Sequence, residues 1–176
     1  MTGQVIWITG LSGAGKTTVA EQLTLRIRDG GLQPILLDGD ILRNLFQSPI
    51  KSSGNYSRDE RIRLSSRYAL LCKNLSSQGF TVIISTISMY NEIYDWNRTN
   101  LPNYFEIYLK VPLKELRRRD PKNIYRNFDT GTQSNVAGLD VKVDLPKNPH
   151  LIVNFKSGQV PTEIVEIIIE KLCLQN

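Results

Sequence analysis

Val5-Ile6-Trp7-Ile8-Thr9-Gly10-Leu11-Ser12-Gly13-Ala14-Gly15-Lys16-Thr17-Thr18 is the stretch that decides the fold. Its first four residues form a short, continuously apolar run, as a strand covered on both faces requires. Gly10 to Thr17 fit G-x-x-x-x-G-K-[ST], and from Lys16 the chain reads as a helix to Arg28. Strand, glycine-rich turn and helix form the context in which that pattern wraps phosphate. Glycines let successive N–H groups turn inward around phosphate oxygens, and the helix N-terminus adds a positive dipole end. Gly10, Ser12, Gly13, Ala14, Gly15, Lys16, Thr17 and Thr18 are therefore the expected nucleotide-phosphate ligands. Lys16 would reach the β- and γ-phosphates, and the Thr17 hydroxyl would ligate Mg²⁺. Chance alone gives the pattern in about one chain in 150 of this length, and the flanking strand and helix make coincidence rarer still.

Outward from that loop, apolar runs alternate with amphipathic stretches. Ile35–Leu37, Thr81–Ile84, Phe105–Leu109 and Leu151–Val153 read as further strands. Arg58–Ser77, Leu113–Arg119 and Val160–Leu174 read as helices. Alternation of this kind implies a parallel sheet with right-handed crossovers, here of five strands with helices on both faces. The polar stretch 121–149 breaks the rhythm and reads as a lid or binding segment. The 176 residues suit one domain.

Composition narrows the class. At 40% hydrophobic and 22% charged residues, the chain is neither disordered, collagenous nor a coiled coil. It holds no apolar run of the ~18 residues that a membrane span needs, and no signal peptide opens it, so a cytoplasmic protein is expected. Cys72 and Cys173 have no metal-like spacing and read as two buried thiols in a reducing compartment. One histidine, His150, excludes a histidine-rich metal site. The net charge of +5 suits a polyanionic ligand. The run Arg117-Arg118-Arg119 is too short to argue for nucleic acid.

The second strand runs into Leu37-Asp38-Gly39-Asp40, followed by Arg43. Ligands of such sheets bind at the carboxyl ends of the strands. A carboxylate there can orient an attacking hydroxyl, and an arginine can hold an acceptor phosphate. The plain alternative is that Asp40 caps a helix beginning at Ile41.

The phosphate loop, Leu37-Asp38-Gly39-Asp40 with Arg43, Ser85-Thr86-Ile87-Ser88-Met89-Tyr90, Val111-Pro112-Leu113, Arg119-Asp120-Pro121-Lys122 with Tyr125, Gly138-Leu139-Asp140 and Pro146-x-x-Pro149 occur in that order. As an ordered set they resemble adenylylsulfate kinase. The resemblance implies a P-loop NTPase-type fold, a homodimer and a kinase that moves the γ-phosphate of MgATP to the ribose 3′-hydroxyl of adenosine 5′-phosphosulfate. It implies that Asp40 orients that hydroxyl and that Lys16 and Asp40 are the catalytic pair. Arg43 and Arg61 would hold the acceptor's 5′ anion, Ile87 and Ser88 would line its pocket, Arg119 would cover the adenine of ATP, and Asp38 would stand in the outer shell of Mg²⁺.

Departures from the pattern cluster on the acceptor side. Leu64 stands where the family has Asn, and Tyr56 where it has Phe, keeping a stacking face. In the lid, Asp129, Ser134 and Val136 replace Arg, Lys and a stacking Phe. A smaller base than adenine, with a different 5′ group, is thus one expected acceptor. A divergent branch of the family is similar in this respect: it phosphorylates cytidine 5′-diphosphoramidate in capsule synthesis. Adenylylsulfate itself, as in sulfate assimilation, and a nucleotide-binding protein without catalysis are the alternatives.

Overall fold

The computed structural model describes residues 3–46 and 57–173. Tyr56 lies outside the described residues. Five strands, β1 (Gln4–Thr9), β2 (Ile35–Asp38), β3 (Thr81–Ser85), β4 (Tyr104–Lys110) and β5 (Leu151–Asn154), form one sheet in the order β2-β3-β1-β4-β5. Every pairing is parallel. The helices are α1 (Lys16–Asp29), α2 (Gly39–Phe46), α3 (Arg58–Ser77), α4 (Asn91–Asn100), α5 (Leu113–Arg119), α6 (Ile124–Asp129) and α7 (Pro161–Cys173).

Both faces of the sheet are covered, because successive side chains of a strand point to opposite sides. Ile6 and Ile8 of β1, with Ile83, Phe105 and Ile107, pack on Val19, Ala20 and Leu23 of α1 and on Val165 and Ile168 of α7. Val5 and Trp7, with Val82, Ile84 and Tyr104, pack on Tyr68, Ala69 and Cys72 of α3 and on Ile93 of α4. This explains why the strand sequences show no polar alternation. The helix ends follow local rules. Ser57 accepts the Glu60 amide at 3.4 Å to cap α3, and Pro161 opens α7, where a missing N–H costs nothing.

Two elements go beyond the sequence reading, α4 and α6, while α2 is the helix that the sequence left as the alternative reading after Asp40, beginning two residues earlier at Gly39. Segment 121–149 is more ordered than its polar composition suggests. Asp120 accepts the amides of Tyr125 and Arg126 and so nucleates α6. Asp140 accepts those of Asn135 and Val136, at 2.7 and 2.5 Å. Tyr125, Val136, Ala137 and Val141 are buried. The expectation of two buried thiols holds for Cys72 alone; Cys173, on the last turn of α7, is exposed. Among the described residues, no helix is long and apolar enough to cross a membrane.

Candidate active site

Parallel strands bring all their carboxyl ends to one edge, and the loops leaving β1, β2, β3 and β4 meet there. Between them lies a cavity of about 740 Å³, the size of a nucleotide-binding cleft. The phosphate loop forms its floor. Gly10 is held at φ +151°, and a Cβ there would stand 2.8 Å from the Leu109 carbonyl oxygen, so only glycine lets β1 and β4 close up. Lys16 donates from Nζ to the Leu11 carbonyl at 2.9 Å. Its surroundings desolvate the ammonium and lower its pKa to about 8, with Asp40 and Asp38 pulling the other way.

Four hydrogen bonds hold Asp38. Its carboxylate accepts from Thr17 Oγ1 and Ser85 Oγ, each at 2.9 Å, and from the amides of Asp40 (2.8 Å) and Ile41 (3.3 Å). Burial alone would push its pKa up, but these four bonds outweigh it and leave the carboxyl below its usual value. Asp38, not Asp40, therefore caps α2. That leaves the Asp40 carboxylate to the cavity, where it pairs with Arg43 on one oxygen and Lys122 on the other. Burial again raises its pKa, and the two cations more than reverse this.

Most of the residues expected from sequence converge here. Ser12, Gly13, Gly15, Lys16, Thr17, Thr18, Asp38, Asp40, Arg43, Arg61, Ile87, Ser88 and Arg119 all line the cavity. Gly10 and Ala14 support the loop from behind. Ala14 borders a second, small cavity shared with Arg119, Asn154, Phe155 and Lys156. Arg119 spans the two: its guanidinium lies 5.1 Å from the Phe155 ring centroid and donates to the Gly13 carbonyl at 3.3 Å. Arg61 donates to the Asn135 carbonyl at 2.6 Å, tying α3 to segment 121–149.

Sequence reasoning missed Lys122, Ser65, Tyr68 and Asn135 as cavity residues. Lys122 was visible as the last member of the Arg119-Asp120-Pro121-Lys122 run, but no spacing announces a partner in α2. Of the three lid departures, Asp129 pairs with Arg117 of α5 and Ser134 is exposed. Val136 does line the cavity. Arg58, at the start of α3, pairs with Glu92 (3.1 Å) and Asp144 (2.8 Å).

Segment 121–149 is fastened over the phosphate loop. Tyr125 donates from its hydroxyl to the Ser12 carbonyl at 2.9 Å. Gly138, at φ +85°, lies so close to Leu11 that a Cβ would stand 2.8 Å from its Cδ2.

Comparison with known proteins agrees with this geometry. Cytidine diphosphoramidate kinase of Campylobacter jejuni is 40% identical over 172 residues, covering 97% of this chain and 96% of that one. Adenylyl-sulfate kinase of Picosynechococcus is 34% identical over 170 residues, covering 97% and 93%. The solved structure of the Mycobacterium tuberculosis APS kinase CysC in complex with AMPPNP and APS superposes with a TM-score of 0.85 at 28% identity, covering 97% of this chain and 98% of that one. Residues 2–154 match the family described as Adenylylsulphate kinase. A parallel five-stranded P-loop core, a capped acidic turn after β2 and a match of that extent lead to one assignment: the chain belongs to the adenylylsulphate kinase family.

Proposed function

We propose that this kinase transfers the γ-phosphate of ATP to the ribose 3′-hydroxyl of a cytidine 5′-diphosphoramidate-like nucleotide, as a cytoplasmic, single-domain, homodimeric enzyme with segment 121–149 as its lid. One observation carries the reading. Asp40 is the carboxylate that capping leaves to the cavity, with its phosphate-loop neighbour Lys16 acting on it electrostatically and Arg43 paired to it. A group so placed can face a sugar hydroxyl while the loop amides and Lys16 hold a triphosphate.

Phosphoryl transfer passes through a loose transition state, so the protein's work is chiefly positioning and charge neutralisation. A carboxylate with a lowered pKa is a weak base, and it suits Asp40 to orient the hydroxyl and take its proton late. Arg43 and Arg61 would hold the acceptor's 5′ anion, and Ile87 and Ser88 would bound its pocket. Arg119, over the small second cavity, would cover the base of ATP. Thr17 and Asp38 present hard oxygen donors beside the phosphate loop, the donor type that Mg²⁺ takes. Mg²⁺ bound there would neutralise phosphate charge.

The acceptor assignment is supported by the 40% identity to the Campylobacter jejuni enzyme and by Val136, rather than an aromatic ring, in the cavity wall. Adenylylsulfate is the second reading, supported by the kinship to adenylyl-sulfate kinases. Protein mixed with MgATP and each acceptor in turn, with ADP and product measured, decides. Turnover with cytidine 5′-diphosphoramidate and little with adenylylsulfate is expected. The reverse ranking selects the second reading, and no ADP with either leaves a nucleotide-binding protein.

A further inference from the structure

One wall of the cavity, built by α3 and the loop after β3, carries a row of hydroxyls. Thr86 Oγ1 lies 2.8 Å from Ser88 Oγ, and Ser88 Oγ lies 2.8 Å from Ser65 Oγ. Ser65 Oγ lies 2.7 Å from the carbonyl oxygen of Arg61. All three side chains line the cavity, and all three residues are buried. A hydroxyl has one hydrogen to give, and a carbonyl has none. Three contacts therefore require three hydrogens, and only one direction makes all of them at once. Thr86 donates to Ser88, Ser88 to Ser65, and Ser65 to the Arg61 carbonyl. Ser85, the last residue of β3, likewise spends its hydrogen, on Asp38. The row itself therefore has lone pairs to offer a ligand and no hydroxyl hydrogen; beside it on the same wall, the Tyr90 hydroxyl has no partner among the described residues and keeps its hydrogen.

We propose that the Thr86–Ser88–Ser65 row is a specificity element that reads an N–H donor on the acceptor's 5′ end, namely the amide of a terminal phosphoramidate. The row ends on the main-chain carbonyl of Arg61, whose side chain is assigned to the acceptor's 5′ anion, and the proposal sets that end of the ligand against the row. The inference rests on the acceptor reading given above. A terminal sulfate or phosphate presents acceptor oxygens to the row. There lone pairs face lone pairs unless a hydroxyl of the row turns outward and one of its contacts is lost. A site built around a hydrogen bond discriminates against the analogue that cannot make it.

The test compares kcat/KM for cytidine 5′-diphosphoramidate with kcat/KM for cytidine 5′-diphosphate, which differ only at the terminal group. Taking the ratio within each variant, and comparing it between variants, cancels their difference in charge. The wild-type protein should prefer the amidate. Thr86→Val keeps the shape and removes the lone pairs, and should lower the ratio about tenfold. Thr86→Ser, which restores the hydroxyl, should return it. Ser65→Ala removes the acceptor of the Ser88 hydrogen and frees it to face the ligand, so the ratio should fall and the value for the diphosphate should rise. Thermal melts establish that each variant is folded. A ratio within about twofold of wild type in both Thr86→Val and Ser65→Ala, or a wild-type protein with no preference for the amidate, overturns the proposal while leaving the kinase reading in place. A wild-type protein that uses adenylylsulfate and not the amidate overturns the acceptor reading, and the proposal with it, before any variant is made.

Discussion

Asp40 and Lys122 are 82 positions apart in the chain and joined by an ion pair at the cavity. The pair bridges the start of α2 and the start of segment 121–149, so the carboxylate that is proposed to face the acceptor hydroxyl also ties these two elements together. Arg43 holds its other oxygen. Each oxygen keeps a further lone pair, so a hydroxyl can approach Asp40 with both cations in place.

Asp40→Asn should therefore lower kcat by at least about a hundredfold, a loss typical of removing a positioned proton acceptor, while the affinity for an ATP analogue changes by less than about threefold. Lys122→Met should lower kcat less, by about tenfold, the worth of one charge-assisted bond. Steady-state kinetics and calorimetric titration of each variant check both. An Asp40→Asn protein with full turnover removes that residue from the reaction.

Lys16 carries a pH signature. In the ligand-free protein its ammonium pKa is about 8, depressed by burial. A bound triphosphate favours the charged form and raises the pKa, so binding above pH 8 must take up a proton. Affinity for ATP should be constant below about pH 7 and fall as pH rises through 8 to 9. Titration calorimetry in buffers of differing ionisation enthalpy should show this uptake at pH 8.5. Its disappearance is expected at pH 6.5 and in Lys16→Met, where binding itself is much weaker.

Gly138 tests how tightly segment 121–149 must lie on the phosphate loop. Gly138→Ala puts a Cβ against Leu11 at φ +85°. Leu11 can swing aside, but the backbone strain of about 1 kcal/mol remains. A fall in melting temperature of about 2–4 °C and a rise in the KM for ATP are expected, with Tyr125→Phe giving the same KM change through loss of the Ser12 contact. Differential scanning calorimetry and initial-rate kinetics measure the two effects.

Glu106, in the middle of β4, is fully buried and paired with Arg98 at 2.5 Å, while its second oxygen has no partner among the described residues. Burial pushes its carboxyl up to about 7, and Arg98 offsets only part of this. With the folded pKa above the unfolded value near 4.5, the folded state holds more protons between those limits. The contribution of Glu106 is thus present below about pH 4.5 and lost as pH rises to about 7. Denaturant unfolding of Glu106→Gln should show this decline flattened relative to wild type. Equal slopes in the two proteins would exclude Glu106 as its source.

Local physics made the framework legible. Apolar runs at Val5–Ile8 and Phe105–Leu109 are too short for helices and too apolar for a half-exposed sheet, so they announced buried parallel strands. Gly10 to Thr18 need only their own spacing to shape a loop for phosphate, and that loop is continuous in sequence. Helices α4 and α6 escaped, because Asn91–Asn100 and Ile124–Asp129 are polar and of low propensity, and are held by tertiary contacts: Asp144 accepts the amide of Asn91 at 3.1 Å, and Tyr125 packs into the core. The acceptor side depended on long-range meetings. The bonds of Thr17 and Ser85 to Asp38, the pairing of Lys122 with Asp40, and the contact of Ser88 with Ser65 all join residues that no local pattern connects. Sequence by itself determined the five strands, the phosphate loop and helices α1, α3, α5 and α7, because backbone propensity and periodicity act over a few residues. Only the folded chain decided which side chains share the cavity and where their hydrogens point, because those follow from how four strand ends are brought to one edge.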